Sequence, residues 1–283
     1  MRLERDGQTM DLRRQSLTLL GYLAVSGERH HRDRLAGLFW PDAEPKRAYA
    51  NLRHVLWELN KVLGEGILDA DRETVAAQSG LWTDLHAFRQ LLAGTRTHGH
   101  AEKAVCPRCI APLRDAVALA RGRLLEGAAV ADSPEFDDWL YFAAEEQRAE
   151  LEGALRRLVA IYARKRDLSG AIEAARRWLQ LDPLDEEAHR QAMLVYALAG
   201  QRNAALRQYE ECKRILDAEL GVAPDARTQA LMENIRRGAL QEMAAERDAV
   251  VVLAESGEQP DQQTPAPTRA RRRNLPAQVS PFV

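Results

Sequence analysis

Four side chains of the kinds that bind zinc lie within a single twelve-residue stretch of the chain. His98 and His100 are followed by Cys106 and Cys109, which gives the pattern HxH-x5-CxxC. Two cysteines at this spacing can reach one metal ion, and two imidazoles would complete the tetrahedral shell that zinc prefers. The pattern predicts a structural zinc site in an insert at 94–112. A plain loop with unpaired thiols and a redox-active cysteine pair are the alternatives.

A second group of polar residues falls short of a catalytic motif. Glu186-Glu187-Ala188-His189 partly matches HExxH, in which two imidazoles on one helix face hold a metal ion, but Asp185 stands where the first histidine is required. No GxxxxGK[ST] loop, which would cradle phosphates, occurs in the chain. The sequence therefore predicts a protein that is not an enzyme and has no nucleotide chemistry of its own.

Composition sets limits on the fold and on the partners. The chain has 283 residues, is 46% hydrophobic with 6% aromatic residues, and carries a net charge of -2. This favours about two mostly α domains, and it excludes a whole-chain field that would attract nucleic acid or an anionic membrane. The polar start MRLERDGQTM and the absence of a long apolar run predict a cytoplasmic protein without a membrane partner.

One segment combines an apolar stripe with a basic face. After Pro45, apolar residues recur at helical spacing, and the opposite side of the predicted helix collects cations, a histidine and a tryptophan. Glu58 lies near the edge of that basic side. The apolar residues are Leu52, Val55, Leu56, Leu59, Val62 and Leu63. The basic-side residues are Lys46, Arg47, Arg53, His54, Trp57 and Lys61.

The elements around this helix occur in the order of a winged helix. A small hairpin within residues 2–9 and helices at 14–25 and 32–39 are predicted before it, the second ending at Trp40-Pro41 because proline disfavours helical backbone in its predecessor. Two short strands, 67–70 and 74–78, flank Asp71-Arg72-Glu73 after it. Three helices followed by a hairpin predict a winged helix-turn-helix domain over residues 1–93.

The segments LTLLGYLAV, HHRDRLAGLFWPDAEPKRAYANLRHVLWELNKVLG, ILDADRETV and LWTDLHAFRQLL carry a resemblance to a known family. They resemble the DNA-binding half of bacterial transcriptional activator domain (BTAD) regulators. The resemblance implies that residues 48–63 form the recognition helix in the major groove of promoter DNA and that Arg72 lies on a wing near phosphates. The candidate DNA-binding residues are Lys46, Arg47, Arg53, His54, Trp57, Lys61 and Arg72.

The second half of the chain is predicted to be helical and repetitive. A helix is expected at 113–125, and Asp132-Ser133-Pro134-Glu135 starts the next one, which runs to Ala163, with serine as cap and proline in the first turn. Tyr162 and Tyr196 lie 34 residues apart, the period of a tetratricopeptide repeat. Two helix pairs follow from this period: 148–164 with 170–181, and 186–199 with 203–220.

The segments DSPEFDDWL, LQLDPLDEEAHRQAM and AELGVAPDARTQALMENI extend the BTAD resemblance over 113–238. The resemblance implies that the helical domain, 113–245, dimerises with a second protomer of the same chain or contacts RNA polymerase components. Residues 246–283 are rich in proline, arginine and glutamine, which predicts a disordered linker. Their end, NLPAQVSPFV, resembles the segment that precedes an ATPase module in such regulators, and no such module follows in this chain.

The fold class expected is therefore mostly α: a winged helix-turn-helix domain with small β elements, followed by a tetratricopeptide-like helical domain. The function expected is DNA-binding transcription regulation. The alternative is a protein-interaction scaffold of stacked helix pairs without DNA binding. Residues 1–95 contain 13 Lys and Arg and 13 Asp and Glu, and this neutral balance favours the alternative mildly.

Overall fold

The first part of the chain is a three-helix unit with two small antiparallel sheets. The computed structural model describes residues 1, 3–5, 8–64, 66–78, 81–97 and 106–239. The helices of this part are α1 (Arg14–Ser26), α2 (Arg32–Phe39) and α3 (Pro45–Leu63). The strands are β1 (Glu4–Arg5), β2 (Gln8–Thr9), β3 (His30–His31), β4 (Leu68–Ala70) and β5 (Thr74–Ala77). The mostly helical fold with small β elements is thereby confirmed.

Local chemistry explains where these helices begin and end. Gly27, with φ of 64°, ends α1 and donates its N–H to the carbonyl of Leu23. Pro45 occupies the first turn of α3, where its missing N–H is not needed. The helix buries Leu52, Leu59 and the rest of its predicted apolar stripe except Val62, which is half-buried.

The second sheet has three strands in the order β3-β5-β4, all antiparallel. Ala70 pairs with Val75 across the β4–β5 hairpin, and His30 pairs with Val75 from the other side. The sequence did not predict β3, because a two-residue strand is too short to show an alternating pattern. Its pairing fixes the hairpin against α1 and α2.

The second part of the chain is a series of consecutive helices that pack one against the next. Their bounds are α4 (Asp84–Gly94), α5 (Ile110–Leu119), α6 (Pro134–Arg164), α7 (Leu168–Leu181), α8 (Glu186–Leu198), α9 (Arg202–Leu220) and α10 (Ala226–Arg237), with a 3₁₀ turn at Pro107–Cys109 before α5. The predicted helix pairs are confirmed within a few residues. Ser133 caps α6 by accepting the N–H of Phe136 at 3.4 Å.

One predicted helix, 113–125, is wrong at both ends. Helix α5 starts at Ile110 and stops at Leu119, and a segment without helix follows up to α6. The stop has a tertiary cause, since Arg177 on α7 donates from Nη2 to the carbonyls of Val117 and Ala120. These carbonyls have no partner within the helix, and a cationic donor near a helix C-terminus is favourable.

The buried residues form two apolar cores. The N-terminal core joins α1, α2, α3 and the hairpin around Leu19, Leu23, Leu35, Phe39, Leu52, Leu59 and Val75. The helical core joins α4 to α10 around Leu113, Leu155, Ile161, Ala175, Trp178 and Met193. Helix α4 contributes Leu85 and Phe88 to the helical core. The predicted domain limit at residue 93 stays a prediction, but this packing favours a division near residue 83.

Helix α6 belongs to both cores. Phe136, in its first turn, is fully buried in the N-terminal core, whereas Leu151 and later residues lie in the helical core. The ring of Phe136 lies 5.6 Å from that of Phe39 in an edge-to-face arrangement, and Trp139 lies 4.4 Å from Tyr22. One continuous helix thus joins the two parts.

Candidate DNA-binding surface and the cysteine pair

The basic side of α3 lies on the surface, opposite the N-terminal core. All six candidate side chains on this helix are exposed, and Trp57 leaves 58% of its surface accessible. The apolar stripe faces inward, so the same helical period that fills the core orients the cations outward. We call this set of six residues the α3 basic face: Lys46, Arg47, Arg53, His54, Trp57 and Lys61.

Three of these residues form one exposed cluster along the helix. The Lys61 ammonium lies 5.1 Å from the centre of the Trp57 ring, and the His54 ring stacks on Trp57 with centroids 6.0 Å apart. An ammonium over an indole is attracted by the ring's electrons. The contacts keep the indole in a defined position, although most of its surface remains open to water.

Glu58, the acid at the edge of the predicted basic side, is held by α1. Its Oε2 accepts the hydroxyl of Ser16 at 2.5 Å, and its Oε1 lies 3.8 Å from Nε of Arg13. Arg13 also donates from Nη1 to Nε2 of His54 at 3.2 Å. Arg13 therefore adds a further cation beside the α3 basic face and offsets the one carboxylate on it. Sequence reasoning missed this residue, because more than 40 positions separate it from its partners.

The β4–β5 hairpin presents Arg72 at its tip. Asp71 organises the turn by accepting the N–H groups of Thr74 at 2.7 Å and Glu73 at 2.8 Å, as well as the Thr74 hydroxyl. These hydrogen bonds lower the pKa of Asp71 to about 2. Arg29 forms ion pairs with Asp69 and Asp71. The turn is thus fixed internally, while Arg72 is exposed to solvent.

The two cysteines of the predicted zinc site lie at the start of α5 in different surroundings. Cys106 is half-buried, whereas Cys109 is fully buried, with its thiol 3.6 Å from both the Thr95 carbonyl and Nη2 of Arg157. Burial raises the pKa of Cys109, and its neighbour Cys106 adds to that effect. Burial also acts against the Cys106 thiolate, but hydrogen bonds from the backbone N–H of Arg108 and from the Cys109 thiol outweigh it and lower the Cys106 pKa.

The zinc prediction stays open. His98 and His100 lie outside the described residues. In the part of the chain that the structure describes, no group of three or more His, Cys, Asp or Glu side chains could hold a metal ion. The partial HExxH pattern has a structural role instead: Asp185 caps α8, and His189 is buried between the Pro183 carbonyl and Gln208.

A known domain covers the helical part of the chain. The family model described as bacterial transcriptional activator domain matches residues 83–236, more than half of the sequence. The chain belongs to this family. The match starts at Thr83, the residue that caps α4 by accepting the His86 N–H at 3.0 Å. It ends in α10, so the BTAD region contains all the helices that build the helical core.

A solved structure shares the fold of both parts. The chain is similar to Mycobacterium tuberculosis EmbR, whose structure was determined in complex with a low affinity phosphopeptide, with a TM-score of 0.63 and 20% sequence identity. The similarity covers 90% of this chain and 68% of that one. No curated protein sequence matches this chain. Among the described residues, none of the helices has the length and apolar character needed to cross a bilayer.

Proposed function

We propose that this BTAD protein is a DNA-binding transcription regulator in which α3 is the recognition helix. The observation that carries the proposal is the α3 basic face, whose cations and exposed indole lie opposite an apolar stripe that is buried except for the half-buried Val62. A helix of this kind can enter the major groove, which is wide enough to admit one. The hairpin with Arg72 would then follow the neighbouring phosphates.

The individual side chains fit distinct roles in such a complex. Arg53 lies in the middle of the exposed side, where a guanidinium can bind a guanine edge with two hydrogen bonds. Lys46 and Arg47 lie at the positive N-terminal end of α3, which suits phosphate contacts. Trp57 offers an apolar surface for a thymine methyl group. Arg13 would keep Glu58 from repelling the DNA backbone.

The neutral balance of residues 1–95 predicts how this binding depends on salt. A protein that neutralises Z phosphates on duplex DNA has a log–log salt slope of about -0.9Z. The cations proposed to meet phosphates are Lys46, Arg47, Lys61, Arg72 and Arg13, so we expect about four to five phosphate contacts and a slope of roughly -3.5 to -4.5. Non-specific affinity should therefore be low, and most of the discrimination should come from base contacts.

The experiment compares the full chain with a double variant of the basic face. Genomic DNA fragments that bind the wild-type protein are selected and sequenced, and affinity for the enriched duplex is measured by fluorescence anisotropy at several salt concentrations. Arg53→Ala with Lys61→Ala should weaken binding at least about fivefold, because one lost base contact is worth about 1–3 kcal/mol. The salt slope should fall by about 1 for each lost phosphate contact.

A matched control removes the same two charges elsewhere. Arg207 and Lys213 are exposed on α9, away from α3, and neither takes part in an ion pair among the described residues. Arg207→Ala with Lys213→Ala should leave the affinity unchanged. If both double variants bind the selected DNA equally well, or if no duplex is enriched at all, the scaffold function without DNA binding replaces this proposal.

The helical domain would supply the regulatory contact. In our proposal its stacked helix pairs bind a second protomer or RNA polymerase components, since such repeats offer extended surfaces to protein partners. The residues of the partial HExxH pattern serve the fold, since Asp185 caps α8 and His189 is hydrogen-bonded to the Pro183 carbonyl and to Gln208, and we propose a role without catalysis. Chemical cross-linking of the full chain on its selected DNA would identify the partner.

A further inference from the structure

A cleft of about 1040 Å³ lies where the two parts of the protein meet. Helix α1 and the end of α3 line it from the N-terminal part, and α4 with the segment between α5 and α6 lines it from the BTAD region. Small-molecule sites commonly have volumes of about 300–1000 Å³ and often lie at such junctions. The cleft therefore has the size and the location of a ligand site.

Apolar side chains from both parts face this space. Leu17 and Val25 on α1 line it and are only half-buried, as is Leu124 across the cleft. Trp82 also lines it, yet it leaves 69% of its surface exposed and packs in neither core. An indole of this size gains most from burial when a further apolar molecule covers it.

The charged residues at the cleft leave positive charge without a partner. The side chains of Arg121 and Arg123 are exposed and form no ion pair among the described residues, and both line the cleft. The carboxylates on its lining are Asp84, which accepts the backbone N–H of Leu85 at 2.8 Å, and Glu126. The lining thus carries two guanidinium groups and two carboxylates, but among the described residues neither carboxylate forms an ion pair with Arg121 or Arg123. The acidic group of a ligand would supply the partner that both guanidinium groups lack.

The backbone of one wall has an unusual conformation. Leu125 has φ of 48°, in the left-handed region that side-chain-bearing residues rarely adopt, and it packs on Gly21 of α1. A Cβ on Gly21 would lie 2.7 Å from Cδ2 of Leu125. Strained residues of this kind persist only where surrounding contacts enforce them, and they cluster at ligand clamps. The segment between α5 and α6 is thus held at a defined distance from α1.

We propose that this cleft binds an apolar organic anion. The hydrocarbon or ring system lies against Leu17, Val25 and Trp82, and the acidic group lies at Arg121 and Arg123. The site is separate from the α3 basic face, so its occupancy can be tested without DNA. Because Leu63 and Gly64 at the end of α3 line the same cleft, a bound molecule would contact the recognition helix of the proposed regulator directly.

The test uses two fluorescent probes that differ in one group. 8-Anilinonaphthalene-1-sulfonate carries a sulfonate, and N-phenyl-1-naphthylamine has the same rings without it. Each is titrated into the full chain, into Val25→Trp, which fills the apolar end, and into Arg121→Gln with Arg123→Gln. Arg207→Gln with Arg227→Gln is the matched control, because both arginines are exposed on the described surface outside the cleft.

The wild-type protein should bind the sulfonate probe at one site. Val25→Trp should weaken both probes at least tenfold, and the cleft arginine pair should weaken only the sulfonate probe, by about fivefold for two exposed ionic contacts. The control pair should change neither. If the cleft arginine pair affects both probes equally or neither, the anion assignment is wrong. If Val25→Trp, with an unchanged circular dichroism spectrum, binds both probes as the wild type does, the cleft is not the site.

Discussion

Phe136 offers the sharpest test of how the two parts of this protein are joined. Although it lies in the first turn of a BTAD helix, its ring is fully buried in the N-terminal core. Truncating a buried phenylalanine to alanine costs about 3–5 kcal/mol. The edge-to-face contact with Phe39 places Phe136→Ala in the upper half of that range, because such pairs add about 0.5–1.5 kcal/mol beyond burial.

The measurement is urea denaturation of the full chain, followed by far-ultraviolet circular dichroism and by tryptophan fluorescence. Trp40 and Trp139 pack against the N-terminal core, whereas Trp178 is buried in the helical core. We expect Phe136→Ala to lower the free energy of unfolding by about 4 kcal/mol. The free energy of unfolding of an ordinary domain is about 5–15 kcal/mol. A loss of this size should therefore shift the midpoint of the fluorescence transition to clearly lower urea concentration.

The same helix supplies a matched control. Phe142 lies less than two turns further along α6 and leaves 68% of its surface exposed. Phe142→Ala removes the same atoms and should change the free energy of unfolding by no more than about 0.5 kcal/mol. Equal losses for the two variants would refute the conclusion that the start of α6 completes the N-terminal core.

Three further predictions concern titratable groups. The folded pKa of Asp71, about 2, lies below its ordinary value of 3.8, so its contribution to stability is present above pH 3.8 and is lost as the pH falls towards 2. The stability gap between wild type and Asp71→Asn, measured by urea titration, should close over that range; a gap independent of pH would contradict it. Burial raises the pKa of Cys212 to about 12, so this thiol should not react with iodoacetamide at pH 8 until the protein unfolds. With a chelator present, Cys106 should already be labelled in the native protein. Peptide mass spectrometry of the labelled chain checks both outcomes. Metal analysis of the purified, reduced chain should find one zinc ion per chain. The zinc should be lost when Cys106 and Cys109 are both changed to serine. A zinc content near zero in the wild type rules out the site.

Much of the fold followed from local patterns. Helix α2 was predicted at its observed bounds because Trp40-Pro41 ends it, and α3 was predicted from its apolar stripe. The predicted cap at Ser133 marks the start of α6 in the BTAD region by a short-range hydrogen bond. These features depend on neighbours within about four residues, which a single sequence displays directly.

The parts that sequence reasoning missed depend on distant contacts. Helix α5 stops where Arg177, about 60 residues away, binds its last carbonyls. Glu58 is held by Ser16 and Arg13, more than 40 residues earlier. For the candidate site, the exposure of the α3 basic face followed from helical period, but its contribution from α1 did not. No periodicity encodes which surface groups of two helices meet.

Because α6 contributes residues to both apolar cores, the chain cannot be cut into two fragments without damage to one of them. A polypeptide that ended before Pro134 would retain all three winged-helix helices yet leave Tyr22 and Phe39 without the aromatic cover that α6 provides. Conversely, a fragment beginning at Thr83 would carry Phe136 as an exposed ring. Exchange of the N-terminal parts between relatives would therefore succeed only when the first turns of α6 are exchanged with them.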